Sequence, residues 1–213
     1  INPAEANKEL RKKLDEIMPD IVFAGAIAFP SGAAAVRWAE ENGRKVVIFD
    51  NARLQDVPRP WGVNFIKKKI YSCVDAVFCP ASGWNSTYNY FGFSNDQIFY
   101  GLNVADNNFW QEQVSGTFDD LPKDYIITVG RQVQKKNILF LLKAYKEYIK
   151  STQDPKELIL VGDGPRHKIL ENFVKETGLE KVHFITFTTQ EKLRILYRNA
   201  SFLVLPSRFG ETW

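Results

Sequence analysis

The sequence has few of the residues that build cross-linked or metal-centred proteins. It contains two cysteines and two histidines in 213 residues. Cys73 and Cys79 are too few for a disulfide framework, and without a cluster of partners they do not predict a zinc site. This cysteine usage is typical of a reducing compartment, so we expect a cytoplasmic protein.

Long apolar runs and a strong net charge are also lacking. No stretch approaches the roughly 20 apolar residues of a membrane-spanning helix, and the first residues show no basic-then-apolar signal pattern. A net charge of +3 is too small to indicate a nucleic-acid-binding surface, although it suits a protein that handles anionic ligands. A content of 45% hydrophobic and 25% charged residues is typical of a globular chain with one large domain or two small ones.

The sequence does contain a repeated alternation of apolar runs and helical periods. Runs such as IVFAGAIAF (21–29) indicate buried strands, and stretches with helical periodicity separate them. Strands without polar alternation, joined by helices, predict a parallel sheet covered on both faces. The pattern restarts after QEQVSGTFDDLP (111–122), which has little apolar content and no period and therefore predicts a linker. We predict an α/β fold of two Rossmann-like, doubly wound parallel-sheet units, at 1–110 and 123–213, each incomplete in this segment.

A group of cations follows the first strand of the second unit. Gly130 ends the run YIITVG, and Arg131 and Lys136 come before the next helix. In parallel sheets, ligands bind at the carboxyl ends of the strands, where helix N-termini favour anions. Glycine permits close approach of backbone to ligand, and arginine grips phosphate oxygens in pairs, so the spacing predicts a diphosphate site. On spacing alone, the alternative that these residues are solvated loop cations stays open. Gly162 and Gly164 in VGDGP are expected mainly to allow the turn between a strand and a helix.

Four ordered motifs in the second half resemble a known family. YIITVGRQVQKKNILFLLKAY, LILVGDGPRHKIL, VHFITFTTQEKLRILYRNASFLVLPS and the terminal FGETW are similar to the donor-binding domain of GT-B glycosyltransferases of the retaining family 4 type. The upstream stretch VDAVFCPASGWNSTYNYFGFSNDQIFYGLNVADNNF resembles the end of that family's acceptor domain. The resemblance implies a longer protein, of which this chain is the central segment.

The resemblance implies roles for individual residues. Gly130, Arg131 and Lys136 fall on the family's diphosphate-binding positions, and Glu211 falls on the first glutamate of its Glu-x7-Glu motif, which contacts the donor sugar. Residues 186–188 (Thr186, Phe187 and Thr188) fall where the family reads the nucleotide base. The second glutamate of the motif would follow Trp213.

The sequence departs from the family pattern at two of these points. Where members commonly carry a histidine after an acceptor-domain strand, this chain has Asp50. Either Asp50 takes over orientation of the acceptor, or the acceptor differs from the usual one. Thr186 replaces a common glycine, which leaves open whether the donor is of the UDP or the GDP type.

The expected reaction is sugar transfer from a nucleotide-diphosphate sugar to a glycan or lipid-linked acceptor, with retention. No Asp-x-Asp motif follows a strand, so we expect no metal: Arg131, Lys136 and a helix N-terminus would stabilise the departing diphosphate. Beyond the co-substrate we expect no cofactor and no nucleic-acid partner. Two alternatives stay open, a nucleotide-sugar epimerase or hydrolase of GT-B fold and a non-catalytic nucleotide-binding relative.

A basic, apolar stretch raises the question of membrane contact. In PRPWGVNFIKKKIYSC, Lys67, Lys68 and Lys69 accompany Trp61 and Phe65. A basic amphipathic helix can lie on anionic lipid, so peripheral attachment at the inner face of a membrane is one expectation. A solvated face on a packed helix is the other.

Overall fold

A computed structural model describes residues 2–56, 59–114 and 121–208. The chain divides into two compact units, the first ending at Ala105 and the second beginning at Asp106. Each unit contains one four-stranded sheet in which all strands are parallel. The predicted α/β fold with two Rossmann-like parallel-sheet units is confirmed.

The first unit alternates helices and strands in the predicted order. Its elements are α1 (Pro3–Ile17), β1 (Ile21–Ala24), α2 (Pro30–Glu41), β2 (Lys45–Phe49), α3 (Trp61–Tyr71), β3 (Ala76–Cys79), α4 (Asn85–Phe91) and β4 (Ile98–Tyr100). The strand order is β1-β2-β3-β4. Pro3 at the start of α1, where its missing N–H costs nothing, and Gly92 in the left-handed conformation after α4 mark helix ends that the sequence predicts.

The core of the first unit lies on one face of its sheet. Alternate strand residues, including Val46, Ile48 and Val77, are fully buried together with Trp38 of α2 and Tyr88 of α4. Side chains in a strand alternate between the two faces, so the neighbours of these residues point the other way.

We expected helices to cover both faces of this sheet, but the opposite face carries exposed aromatic side chains. One phenylalanine comes from each of the four strands: Phe23, Phe49, Phe78 and Phe99. The ring centres of phenylalanines on neighbouring strands lie 5.5–6.4 Å apart. Phe23 is 62% exposed. Strand β1 also ends at Ala24, five residues earlier than the run IVFAGAIAF suggests, because Gly25 and the residues after it form the turn into α2.

The second unit repeats the alternation. Its elements are α5 (Asn107–Gln111), β5 (Tyr125–Val129), α6 (Ile138–Ser151), β6 (Leu158–Val161), α7 (His167–Thr177), β7 (Val182–Ile185), α8 (Gln190–Asn199) and β8 (Ala200–Leu203). The strand order is β7-β6-β5-β8. The order therefore reverses at β5, and such a switch point is where open α/β sheets bind ligands.

The second sheet has helices on both faces, as predicted. One core cluster joins the sheet to α6 and α7 through residues such as Leu142 and Leu170, and a separate cluster joins it to α8 through Leu196. The β5 strand is buried along most of its length. This double cover explains why its sequence is continuously apolar.

The division between the units differs from the predicted boundary at residue 110. The helix α5 lies with the second unit, because Trp110 packs edge-on against Tyr197 of α8 and Arg194 donates to the carbonyl oxygen of Phe109 over 2.6 Å. Part of the predicted linker, residues 115–120, lies outside the described residues.

Candidate functional site

Two turns meet at the carboxyl ends of β5 and β6. The Gly130 N–H donates to the carbonyl oxygen of Val161 over 2.9 Å, and the Gly162 N–H donates to that of Ile185 over 2.8 Å. A β-carbon on Gly162 would lie 2.3 Å from the carbonyl oxygen of Gly130, and Gly162 has a φ of +127°. Glycine is required here for contact between two stretches of backbone, in agreement with the structural reading of VGDGP.

Gln132 holds these two turns together, and sequence reasoning missed it. Its side chain is 1% exposed and donates to the carbonyl oxygen of Gly162 over 2.8 Å. Its amide oxygen lies 2.8 Å from Nδ1 of His167 at the start of α7. Its backbone N–H donates to the carbonyl oxygen of Asp163, and its own carbonyl oxygen accepts from the N–H of Arg166. A single polar side chain in a loop has no periodicity, so no sequence signal indicated its burial.

Arg131 and Lys136 both lie beside Gly130. Arg131 follows it directly, and Lys136 ends a short 3-10 turn, Gln134–Lys136, just before α6. The Cε of Lys136 comes within 3.7 Å of the position that a β-carbon on Gly130 would take. The structure thus brings together the glycine and the two cations that the sequence singled out.

A cavity of about 330 Å³ connects this turn to the loop after β7. Gly130, Arg131 and Gly162 line one part of it, and residues 186–188 line another. Phe187 is 90% exposed, so its ring is available to a ligand. Gly130 and Arg131 of the predicted diphosphate site and residues 186–188 of the predicted base site therefore border the same space, at the carboxyl ends of β5, β6 and β7. Lys136, the third predicted diphosphate residue, is not part of the lining of this cavity.

Glu211, a predicted site residue, lies outside the described residues. Asp50 belongs to the first unit, where it follows β2, and it is 3% exposed.

The carboxylate of Asp50 is enclosed by donors of its own chain. It accepts from the Ala52 N–H over 2.9 Å and from the Tyr71 hydroxyl, and the Lys67 ammonium lies 3.3 Å away. Tyr88 donates to the Asp50 carbonyl oxygen over 2.7 Å. The expectation that Asp50 orients an acceptor directly finds no support in these surroundings, because both carboxylate oxygens already have partners.

Burial next to this carboxylate raises the pKa values of the tyrosines around it. Desolvation, together with the charge of Asp50, raises the pKa of Tyr71 far above its ordinary value. The same two causes raise the pKa of Tyr88. Burial raises the pKa of the Cys79 thiol to about 11. Tyr71, Tyr88 and Cys79 therefore stay protonated at neutral pH and add no negative charge to the cluster.

The three adjacent lysines of α3 differ in their surroundings. Lys67 faces inward to Asp50 with 12% of its side chain exposed, whereas Lys68 and Lys69 are exposed. Trp61 is 84% exposed, and Phe65 is also exposed. Helix α3 therefore presents two cations and large apolar side chains to its surroundings.

The described residues contain no group of three or more His, Cys, Asp or Glu side chains placed to hold a metal ion. No helix within 2–56, 59–114 or 121–208 combines the length and apolar character needed to cross a bilayer.

The sequence of the second half of the chain is similar to that of known proteins. Residues 111–213 match the family model described as Glycosyl transferases group 1. The second half of the chain is thus similar to glycosyltransferases of group 1. An uncharacterized glycosyltransferase of Methanocaldococcus jannaschii is 29% identical over 119 residues, which make up 52% of this chain and 30% of that protein.

Solved structures resemble both units at low identity. Anabaena HepE in complex with UDP matches with a TM-score of 0.72 and 14% identity, covering 94% of this chain and 56% of its own. A putative UDP-N-acetylglucosamine 2-epimerase from Listeria monocytogenes matches with a TM-score of 0.60 and 13% identity. The match covers 94% of this chain and 55% of the epimerase chain. These similarities show the fold, that of GT-B Rossmann-like units. The chain spans about half the length of these two structures and less of its sequence relative.

Proposed function

We propose that this protein is a glycosyltransferase that moves a sugar from a nucleotide-diphosphate sugar to a glycan or lipid-linked acceptor, with retention. The cavity that joins Gly130 and Arg131 to residues 186–188 is the observation that carries the proposal. It offers phosphate-binding groups at one part and an exposed aromatic ring at another, and it lies in the domain that matches the group 1 family model.

Arg131 and Lys136 would bind the diphosphate and stabilise the charge that develops on it as the sugar leaves. Two long cations beside a glycine turn can supply the electrostatic stabilisation that a metal supplies in other transferases. We therefore propose a metal-independent reaction, with activity that survives EDTA.

Residues 186–188 would contact the base of a UDP- or GDP-type donor. The Anabaena HepE structures contain UDP or UDP-glucose, which makes uridine nucleotides the first to test. Glu211 would contact the donor sugar. Asp50 would act at a distance, by holding Lys67 and the chain after β2 in place.

Contact with an anionic membrane is proposed for α3. Trp61 and Phe65 are exposed beside Lys68 and Lys69, and aromatic and basic side chains together favour the lipid interface. Flotation with vesicles tests this: binding of the protein should require anionic lipid and should fall in Trp61→Ser/Phe65→Ser.

The donor proposal is tested by calorimetry with UDP, GDP and their sugars. Because Arg131 supplies charge-assisted contacts to phosphate, Arg131→Ala should weaken donor binding by roughly tenfold or more. Arg198→Ala removes an exposed cation of α8 and serves as the matched control.

Transfer assays then separate the proposed reaction from its alternatives. With a donor that binds, sugar transfer should require an acceptor and continue in EDTA. Turnover of the donor without acceptor would instead indicate an epimerase or hydrolase. Full transfer activity in Arg131→Ala would refute the diphosphate role of that residue.

A further inference from the structure

The second unit contains another cavity, of about 890 Å³, beside the first turns of α6 and α7. Ile138 and Leu170 line it, and both belong to the core under α6 and α7. The proposed nucleotide cavity is instead lined by Leu193 of the core under α8. Arg131 lines both spaces, whereas Lys143, Arg166 and Arg208 line the larger one and not the smaller. We call the larger space the basic cavity.

Cations dominate the polar lining of the basic cavity. Four stretches of chain supply them: the loop after β5, the helix α6, the turn before α7 and the turn after β8. They are Arg131, Lys135, Lys143, Arg166 and Arg208. None of the described residues that line the cavity is acidic.

Four of these cations have no carboxylate partner among the described residues. Within residues 2–56, 59–114 and 121–208, no ion pair involves Arg131, Lys143, Arg166 or Arg208. Other cations of the chain do have partners, for example Lys45 and Asp75 at 2.7 Å. Like charges grouped without counter-charges repel one another, so such a grouping favours the binding of an anion.

The backbone around the basic cavity adds to its positive potential. Helices α6 and α7 both begin at this cavity, and neither has a side-chain hydrogen bond at its N-cap. Helix N-termini carry partial positive charge and free N–H groups. Instead of capping α6, the Asn137 side chain donates to the carbonyl oxygen of Pro206 over 3.2 Å, and the Arg208 N–H donates to that of Lys135 over 3.1 Å. These bonds fix Arg208 beside the loop.

We propose that the basic cavity binds a phosphorylated ligand that also carries an apolar group, at a site that adjoins the nucleotide cavity at Arg131 but extends beyond it. Arginine suits paired contacts with phosphate oxygens, and lysine supplies mobile charge. The floor formed by Ile138, Leu139 and Leu170, with the exposed ring of Phe140 beside it, fits the apolar group. A phosphorylated metabolite and a phospholipid headgroup share this chemistry.

The test uses inorganic tripolyphosphate as the soluble probe and vesicles of phosphatidylcholine with or without phosphatidic acid as the lipid probe. Binding is measured with the wild-type protein and with Lys143→Glu/Arg166→Glu. The control variant, Lys150→Glu/Arg198→Glu, changes net charge by the same amount outside the cavity. Soluble-probe titrations are repeated in excess UDP, which keeps the nucleotide cavity occupied.

The expected result is binding that persists in UDP and weakens at least about tenfold in the cavity variant but not in the control. Loss of the tripolyphosphate signal indicates a soluble ligand, and loss confined to phosphatidic-acid vesicles indicates a lipid; either supports the proposal. Circular dichroism checks folding, and Lys143→Gln/Arg166→Gln repeats the test without new charge.

Three outcomes would overturn the proposal: no binding of either probe, equal binding by both variants, or complete displacement of tripolyphosphate by UDP. A different result would refute the proposed transferase function: absence of nucleotide binding by the wild-type protein, whether or not tripolyphosphate binds.

Discussion

The carbonyl oxygen of Gly130 occupies the place that a side chain on Gly162 would need. The distance from that oxygen to a β-carbon built on Gly162 is 2.3 Å, which is far inside van der Waals contact. The carboxyl ends of β5 and β6 can therefore approach this closely only because residue 162 has no side chain. The cavity proposed to bind the nucleotide depends on the same approach, since both glycines line it.

Gly162→Ala should destabilise the second unit by roughly 2–4 kcal/mol, because it combines a backbone clash with a φ of +127° that alanine rarely adopts. Denaturant unfolding of the variant measures the loss. Gly62→Ala is the control: a β-carbon there meets nothing within 4 Å, and alanine inside a helix should add about 0.5–1 kcal/mol. Equal stability of wild type and Gly162→Ala would show that the two turns lie further apart.

The position of Gly130 at the edge of the cavity could be predicted by a simple rule, because Gly130 follows a continuously apolar run and the carboxyl ends of parallel strands meet at one edge of a sheet. Residues 186–188 were instead singled out by the resemblance to a known family. No contact between individual side chains had to be known. The strand order then brought residues 56 positions apart to one cavity.

The surroundings of Asp50 could not be predicted in this way. Its partners Lys67 and Tyr71 come 17 and 21 positions later, and they reach it only through the rotation of α3. Each residue turns a helix by about 100°, so one of three adjacent lysines faces inward while the next two are exposed. The sequence KKK gives no sign of which one it is.

Asp50→Asn should destabilise the first unit strongly, because Lys67 would keep a buried charge without its partner. Removal of one member of a buried ion pair costs about 3–5 kcal/mol. Lys67→Met should cost less in the Asp50→Asn background than alone, since the two changes remove one interaction. Denaturant unfolding of all four proteins in the cycle measures the coupling. Independent effects would mean that the 3.3 Å contact contributes no stability.

Because several tyrosines are buried, we expect the free energy of unfolding to fall at alkaline pH. The raised pKa of Tyr71 and the pKa of Tyr125, raised to about 12 by burial, mean that these phenols stay protonated in the folded state above pH 10. The unfolded chain then binds fewer protons than the folded chain, so the free energy of unfolding should fall as pH rises above about 10, the ordinary tyrosine pKa. Below that pH the contribution is fully present.

Denaturant midpoints across pH 8 to 11 measure this effect. Tyr71→Phe lowers stability at every pH because it loses the bond to Asp50, but it should make the alkaline decline of the first unit less steep. Tyr90→Phe, at a half-exposed position, is the control. An unchanged slope in Tyr71→Phe would exclude that phenol as a source of the decline.

Arg194 attaches the helix α5 to the second unit. Its guanidinium lies 4.4 Å from the centre of the Phe109 ring, donates to the Phe109 carbonyl oxygen and lies 2.8 Å from the carboxylate of Glu112. Only 12% of its side chain is exposed, so these contacts are little screened by water. Arg194→Ala should release α5 and make residues 106–114 several-fold more sensitive to proteolysis.

Limited proteolysis with mass spectrometry of the fragments measures the release. Arg198→Ala, one turn later on an exposed face of α8, should leave the cleavage rate unchanged. Arg194→Lys keeps the charge but loses the planar group that covers Phe109 and donates to its carbonyl oxygen, so its rate should lie between those of wild type and alanine. Wild-type resistance in Arg194→Ala would mean that Trp110 and Tyr197 alone hold α5, and the boundary at Ala105 would then rest on their ring contact.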